Sequence, residues 1–102
     1  MNERFLSFLG LVRKANRMSC GHDAALASLL SGKAKMILVT EDASGRLVRE
    51  FRRAAEGKEI DIRIIPCTMF DIAKAVGTKC GVFTINDAGF SARVAAFCDE
   101  DN

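Results

Sequence analysis

The feature that most constrains the fold is the alternation of short β-type runs with longer segments that carry apolar residues every three or four positions. The runs lie at 36–40, 60–65 and 81–85, and short apolar runs are typical of strands covered on both faces. Strands that alternate with helices form a sheet with helices on both of its faces. The sequence therefore predicts a three-layer α/β/α sandwich with a central sheet of about four strands, the fourth being a short extended piece at 17–19.

The helices of this sandwich are indicated by their ends as well as by their periodicity. Ser44 is a candidate cap, and Thr68 with Asp71 three residues later forms the pattern of a capping box. Gly57 and Gly77 stand where two helices are expected to stop. Helices are predicted at about 3–15, 22–30, 44–57 and 69–76, with a last one that Asn86 or Asp87 caps and that continues through 97.

Length and composition favour one globular domain. The chain has 102 residues, of which 49 % are hydrophobic and 27 % charged, and this is ordinary for a folded domain. We expect a single domain over 1–98 and a short acidic tail at 99–102. No apolar run approaches the ~20 residues of a membrane helix, and no secretory segment is apparent. The expected location is the cytoplasm.

Charge is distributed unevenly along the chain. The net charge is +2, from 15 Lys and Arg against 13 Asp and Glu. Residues 1–40 contain six basic and two acidic side chains, a balance of +4, whereas residues 41–102 contain nine basic and eleven acidic ones, a balance of −2. A basic N-terminal part on a nearly neutral body permits binding to nucleic acid without requiring it.

Sites for metals, cofactors and catalysis are not indicated. The four cysteines at 20, 67, 80 and 98 form no C-x-x-C pair, and His22 is the single histidine; closed zinc sites usually need ligands paired at short spacing. Neither of the common glycine-rich phosphate loops is present. We therefore expect no metal, no cofactor and no enzymatic activity.

The segment with the most physical content is 19–23, at the expected start of the second helix. The first turn of a helix presents unpaired N–H groups and partial positive charge that suit a phosphate, and Gly21 lets another backbone approach closely. This is a candidate nucleic-acid face, although a glycine that merely starts a helix and charges that keep a domain soluble fit equally well. The surrounding basic residues are Arg13, Lys14, Arg17, Lys33 and Lys35.

A second candidate is the turn that follows the fourth helix. Lys74 precedes it, and two glycines flank Lys79 within it. Such a loop can fold against a ligand backbone, but a plain connection from helix to strand explains it too. The seven phenylalanines are expected mostly at core-facing positions, so stacking on bases is not predicted.

Several stretches together resemble a known family. They are SCGHD at 19–23, LSGKAKMILVTEDAS at 30–44, IP at 65–66 and AKAVG at 73–77, and they resemble the ribosomal L-seven-Ae/L-thirty-e family, especially its short bacterial YlxQ-like branch. The resemblance spans roughly residues 4–97. It implies a single α/β/α domain that binds a kink-turn, an RNA internal loop sharply bent at tandem sheared G·A pairs. It also implies that a helix beginning G-x-N-E-x-x-K enters the groove while a loop after K-A-x-G closes over an extruded nucleotide.

The sequence departs from this pattern in the recognition helix. Gly21 matches, but the Asn position holds Asp23, and the Glu and Lys positions hold Ala24 and Ala27. An ionised Asp accepts hydrogen bonds without donating any, and each lost base contact costs about 1–3 kcal/mol. The resemblance therefore implies weakened kink-turn affinity. In the loop, Lys74 and Gly77 match the family, and Lys79-Cys80 replace its acidic-then-apolar pair.

The sequence predicts a non-catalytic, monomeric protein that binds structured RNA, with kink-turn and ribosomal RNA as the candidate partners. Two alternatives stay open: a protein-interaction module that has kept the fold and lost the RNA site, and a thiol enzyme or switch that uses Cys20 or Cys80. The predicted RNA-binding residues are Gly21, His22, Asp23, Lys33, Lys35, Lys74, Gly77, Lys79 and Cys80.

Overall fold

A computed structural model describes residues 3–100 and shows helices and strands in strict alternation. The predicted three-layer α/β/α sandwich is confirmed, and its central sheet has four strands. Within the described range, no helix is long and apolar enough to cross a membrane. The elements are α1 (Glu3–Lys14), β1 (Met18–Cys20), α2 (His22–Leu30), β2 (Met36–Thr40), α3 (Gly45–Ala54), β3 (Asp61–Ile65), α4 (Met69–Val76), β4 (Val82–Ile85) and α5 (Ala88–Glu100).

The sheet is mixed, with the strand order β1-β4-β2-β3. β4 pairs antiparallel with both β1 and β2, whereas β2 and β3 are parallel. β1, β2 and β3 therefore all end at one edge of the sheet, where β4 begins. We call this the carboxyl edge and the opposite one the amino edge. The topology places the starts of α2, α3 and α4 and the loop from α4 to β4 at the carboxyl edge.

The core consists of two apolar clusters, one on each face of the sheet. Successive residues of β2 point to opposite faces of the sheet and so contribute to both clusters. Met36 and Leu38 pack toward α1, α4 and α5, while Ile37 and Val39 pack toward α2 and α3. All four side chains are buried, which explains why this strand is apolar along its whole length. The larger cluster includes Phe5, Leu9, Ile72, Phe83 and Phe97.

Most of the local signals at the helix ends are confirmed, although α3 ends at Ala54 rather than at the expected Gly57. Ser44 Oγ accepts the Leu47 N–H at 3.1 Å, and Thr68 and Asp71 form the reciprocal capping box. Gly77 ends α4 in the left-handed conformation with φ 82°, a conformation that a side chain with a Cβ disfavours. Asp87 rather than Asn86 caps α5, because its Oδ2 accepts the Phe90 N–H at 2.8 Å.

One expectation from the sequence is wrong, and one phenylalanine is an exception to the prediction that most of them face the core. β3 is not covered on both faces: it is an edge strand, and the Ile64 side chain is 53 % exposed. Phe70 does not face the core and is 67 % exposed on α4. In both cases, apolar character alone could not distinguish a covered position from one at the rim of the fold.

The acidic C-terminal stretch is attached to the domain through α5. Asp99 lies in that helix, and its Oδ1 accepts a hydrogen bond from Arg63 Nη1 at 3.0 Å, so α5 is linked to the edge strand β3. The helix continues three residues beyond the predicted end at Phe97. Positions 101–102 of the predicted acidic tail lie outside the described residues.

Candidate nucleic-acid interface

The start of α2 is built around a glycine that no other residue replaces without strain. Gly21 is the N-cap with φ 92° and ψ 165°, and its N–H donates to the Val82 carbonyl at 2.9 Å. An added Cβ would meet nothing within 4 Å, so the backbone angle rather than crowding favours glycine. No side chain caps this helix. The exposed first turn therefore presents its amides and the positive end of the helix dipole outward.

An acidic pair bridged by a histidine surrounds this helix start. His22 Nδ1 lies 2.9 Å from Asp23 Oδ1, and His22 Nε2 lies 2.7 Å from Glu50 Oε2 on α3. Hydrogen bonds to Asp23 and then Glu50 raise the pKa of His22 above 6.5. Protonation of His22 changes the charge of this trio from −2 to −1. The electrostatics at the helix start are therefore a balance between helix amides that attract phosphate and carboxylates that repel it.

The loop from α4 to β4 reaches the same edge of the sheet. Thr78 and Lys79 are exposed, whereas the Cys80 side chain is only 5 % exposed. The carbonyl of Gly81 accepts the Thr40 N–H at 2.9 Å, which anchors the end of the loop beside the end of β2. The buried Cys80 therefore anchors the loop, and Lys79 is its exposed basic residue.

Two cysteines flank the loop and the start of α2. Cys20, at the end of β1, and Cys80 both pack in the apolar cluster on the α1 side of the sheet. Hydrogen bonding to Cys80, followed by the charge of Arg13, lowers the pKa of Cys20 to about 7 against the opposing effect of burial. The bond to Cys20 and burial raise the pKa of Cys80. The structure thus brings Gly21, His22 and Asp23 together with Lys79 and Cys80.

Lys33 and Lys35 lie elsewhere. Both follow the far end of α2, and the Lys35 N–H donates to the Ile85 carbonyl at 2.8 Å, at the end of β4. They are therefore at the amino edge, a helix length of about 13 Å from Gly21. The expectation that these lysines lie beside the start of α2 is wrong, because the whole length of α2 separates them from Gly21.

Lys74 occupies the exposed face of α4, beside an aromatic ring. Its Nζ lies 5.6 Å from the centre of the Phe70 ring, within the range of a cation–π interaction. Lys74 also lines a groove of about 720 Å³ between α1 and α4, to which Arg13 and Lys14 contribute further positive charge. The groove is not uniformly basic, because Glu3 and Asp71 line it as well.

A family model matches the chain over nearly its whole length. The match covers residues 3–95 and is to the Ribosomal protein L7Ae/L30e/S12e/Gadd45 family. The chain belongs to this family. The resemblance noted from residues 19–44 and 65–77 is thereby confirmed. A comparison with curated protein sequences gave no match.

Two solved structures show the same fold at low sequence identity. A protein of unknown function from Bacillus halodurans C superimposes with a TM-score of 0.87 at 22 % identity, over 96 % of this chain and 99 % of that one. The Giardia lamblia 15.5kD RNA binding protein superimposes with a TM-score of 0.75 at 20 % identity, over 98 % of this chain and 89 % of that one. Both similarities concern the fold.

The structure shows where this family member departs from the kink-turn pattern that the resemblance implies. The positions of Asp23, Ala24 and Ala27 are all exposed on α2, so the substituted side chains face solvent rather than the core. Glu50 is a feature that the sequence analysis missed, because it comes from α3, 28 residues from its partner His22. No group of three His, Cys, Asp or Glu side chains suited to a metal ion occurs between residues 3 and 100.

Proposed function

We propose that this protein is a non-catalytic RNA-binding protein that recognises a bent, structured RNA of the kink-turn type. The observation that carries the proposal is the uncapped first turn of α2, set beside the exposed Lys79 of the α4–β4 loop. Helix amides bind phosphate oxygens, and RNA recognition relies on shape, 2′-hydroxyls and splayed bases. A glycine-led helix start with a lysine loop next to it suits such a target.

Family membership supports the same function. The match covers 3–95, which includes every residue of the proposed interface, and a protein of the same fold is described as RNA binding. Gly21, His22 and Asp23 would contact RNA from α2, while Lys74, Gly77 and Lys79 would do so from α4 and its loop. Cys80 would act from beneath by holding the loop in place. We propose further that the protein acts as a monomer in the cytoplasm, with ribosomal RNA among its candidate targets.

The departures in α2 set the expected strength of binding. Asp23 cannot donate the hydrogen bonds of an amide, and Ala24 and Ala27 offer no polar group to a base or phosphate. What remains is largely backbone amides and lysines, which read shape and charge more than base identity. The protein should therefore bind a kink-turn more weakly than a family member with the full pattern, yet still prefer it to straight RNA.

The experiment is a fluorescence anisotropy titration with a kink-turn RNA and a straight duplex of equal length. We expect tighter binding of the kink-turn at low salt, with affinity that falls steeply as salt rises. Lys79→Ala should reduce the salt slope by about one unit, as expected for one lost phosphate contact. Lys35→Ala is the matched control, since it removes the same charge at the amino edge and should leave the slope nearly unchanged.

The outcomes separate the parts of the proposal. Equal and weak binding of the two RNAs would remove kink-turn recognition. Equal reductions of the salt slope for Lys79→Ala and Lys35→Ala would mean that RNA binding depends on net charge and not on residues at the carboxyl edge. The proposed interface would then be abandoned.

The carboxylates at the helix start favour a second candidate, a protein-interaction module that has lost the RNA site. The Asp23 side chain is fully exposed, and Glu50 lies beside it across His22. Two acidic groups next to helix amides would suit a basic protein surface better than a phosphate chain. Absence of any RNA shift, together with a pull-down that nuclease treatment does not change, would favour this candidate.

A further inference from the structure

One side of the sheet ends in β3, a strand that has a neighbouring strand on one side only. In the order β1-β4-β2-β3 it pairs with β2, and no other strand of the described chain lies beyond it. The N–H and C=O groups along the free side of such a strand are a template for a further strand. β3 has five residues, whereas β1, at the other side of the sheet, has three. β3 therefore offers the longer of the two templates.

Every second side chain along this strand is an isoleucine that the core uses only in part. Ile60 and Ile62 are partly buried against the cluster on the α3 side of the sheet. Ile64 points to the same face and is 53 % exposed. A cavity of about 430 Å³ adjoins this row, and its lining residues are Arg52, Ala55, Glu56, Ile60, Asp61 and Ile62. This face of β3 thus has apolar surface and room for a further apolar side chain.

The two residues between the isoleucines carry opposite charges and lie on the other face of the strand. Arg63 donates through Nε to Asp61 at 2.8 Å and through Nη1 to Asp99 of α5 at 3.0 Å. Neither bond uses Nη2, which carries two more N–H donors. The Asp61 side chain is about half exposed. Arg63 can therefore keep both bonds and still donate to a third carboxylate.

The order of these residues is complementary to itself. When two copies of 60–64 run antiparallel about Ile62, Ile62 faces the partner's Ile62, Ile60 faces the partner's Ile64, and Asp61 faces the partner's Arg63. The partner's Ile64 then lies beside Ile60, at the wall of the cavity. Charges on an edge strand usually prevent pairing. Here a shift of two residues in either direction would oppose two arginines or two aspartates, so the charges select one register.

We propose that β3 is a self-association surface, at which a second copy of this chain pairs antiparallel with Ile62 on the two-fold axis. Apolar side chains then meet on the α3 face and opposite charges meet on the α5 face, and two four-stranded sheets become one continuous sheet. The paired segments have far fewer residues than the roughly 20–30 a side of a standard interface. The dimer is therefore weak and reversible, and it forms at high protein concentration.

This inference goes beyond the proposed function and does not depend on it. The proposed RNA contacts begin at Gly21, whose N–H donates to the Val82 carbonyl of β4, and β2 separates β4 from β3. One chain therefore contains the whole RNA interface and acts as a monomer in dilute solution. A second copy on β3 leaves that interface uncovered.

The first measurement is sedimentation velocity of the full-length protein from about 10 µM to about 1 mM. We expect a sedimentation coefficient that rises with concentration from that of a monomer toward that of a dimer. Amide chemical shifts followed by NMR over the same range should change along 60–65 and stay constant along α1. A protein that remains monomeric at the highest concentration, or one whose shifts change on α1 and not on β3, overturns the proposal.

An exchange of charges tests the register itself. Asp61→Arg makes both charged positions of the strand basic, and Arg63→Asp makes both acidic. Each variant alone opposes like charges and should remain monomeric. An equimolar mixture opposes acidic to basic residues again, and it should associate roughly tenfold or more tightly than either variant alone. Lys33→Asp is the matched control for Arg63→Asp, because it makes the same change in charge at an exposed residue after α2 and should leave the association unchanged.

Circular dichroism establishes whether the variants fold, since Arg63→Asp also gives up the bond to Asp99. If it does not fold, Ile64→Lys takes its place: the change affects an exposed side chain, puts a charge opposite the partner's Ile60 and should abolish association. Folded charge variants whose mixture stays monomeric, or a folded Ile64→Lys that associates like the wild type, show that the pairing is wrong. RNA affinity measured by anisotropy should not change in Ile64→Lys, so this inference and the proposed function can fail separately.

Discussion

His22 Nε2 lies 2.7 Å from Glu50 Oε2, and this contact joins the first residue of α2 to the outer face of α3. The same imidazole contacts Asp23 through Nδ1 and packs edge-on against the buried Phe51 ring, with the ring centres 5.6 Å apart. The only histidine in the sequence therefore sits where α2 begins. Its protonation state therefore affects both the link between the two helices and the charge beside the first turn of α2.

The His22 contacts predict a pH-dependent contribution to stability. The folded pKa of His22 is raised above 6.5, first by Asp23 and then by Glu50. A group with a raised folded pKa contributes stability that is complete below its unfolded pKa and is lost as the pH rises through the folded one. The urea midpoint of the wild-type protein should therefore exceed that of His22→Gln by the largest amount below pH 6.5. The difference between the two midpoints should shrink at alkaline pH.

The matched variant is Glu50→Gln, which leaves His22 in place and removes its partner on α3. The difference in urea midpoint between Glu50→Gln and His22→Gln should still depend on pH, but less steeply than the wild-type difference. The reason is that Asp23 alone still raises the pKa of His22. A difference between wild type and His22→Gln that stays constant across the pH range would show that the imidazole acts through packing on Phe51 rather than through charge.

The carboxylate of Asp23 predicts that affinity for RNA can be gained. Its side chain is fully exposed on the first turn of α2, where an amide could donate to a base edge and would not repel phosphate. Asp23→Asn should tighten kink-turn binding by about fivefold or more, since a restored base contact is worth about 1–3 kcal/mol. Anisotropy titration at fixed salt measures the change.

Glu59→Gln is the control for Asp23→Asn. It removes the same charge from an exposed residue just before β3, at the amino edge. The two variants have equal net charge, so an equal gain in affinity would mean that long-range charge, and not the helix start, governs binding.

The sequence predicted most of the fold because its signals are local. Met36–Thr40 and Met69–Val76 were bounded correctly, since an apolar run and a capping box each act within a few residues. The strand order β1-β4-β2-β3 has no such local mark. It depends on which strands pair across long loops, and for that reason the exposure of Ile64 on the edge strand was missed.

The candidate site was only partly predictable for the same physical reason. Gly21 could be identified because a glycine directly before a helix indicates a backbone conformation that other residues disfavour. Glu50 could not, since its contact with His22 crosses from one helix to another. Lys35 was misplaced because closeness in sequence was taken for closeness in space, although α2 lies between Lys35 and Gly21.

Two glycines at opposite ends of α2 allow backbone strain to be separated from function. Gly21 has φ 92° and Gly32 has φ 83°, and an added Cβ would meet nothing within 4 Å at either position. Alanine at each should cost about 1–3 kcal/mol of unfolding free energy, because only the backbone conformation is disfavoured. Only Gly21→Ala should weaken RNA binding, since it alone alters the amides at the carboxyl edge. Urea unfolding measures the stability of both variants, and anisotropy titration measures their RNA affinity. Equal losses of RNA affinity in the two variants would contradict the prediction.

A series of side-chain hydrogen bonds connects β4 and β1 to the last turns of α2, and we expect it to stabilise the packing of α2 on the sheet. Thr84 Oγ1 donates to Asn86 Oδ1 at 2.8 Å, and Asn86 Nδ2 donates to Ser19 Oγ at 2.9 Å. Ser19 Oγ in turn lies 2.6 Å from Ser28 Oγ on α2. Thr84 is fully buried, so its hydroxyl has no water to turn to when a partner is removed.

Asn86→Ala removes the middle of this chain, whereas Ser28→Ala removes only its end. Asn86→Ala should lower the free energy of unfolding by about 1–3 kcal/mol, since it leaves the buried Thr84 hydroxyl without its acceptor. Ser28→Ala should cost less than about 1 kcal/mol, because Ser19 keeps its bond from Asn86. Urea unfolding at one pH compares the two variants. Equal losses would show that each hydroxyl is stabilised independently, and the Thr84–Asn86–Ser19 chain would then have no role in fixing α2.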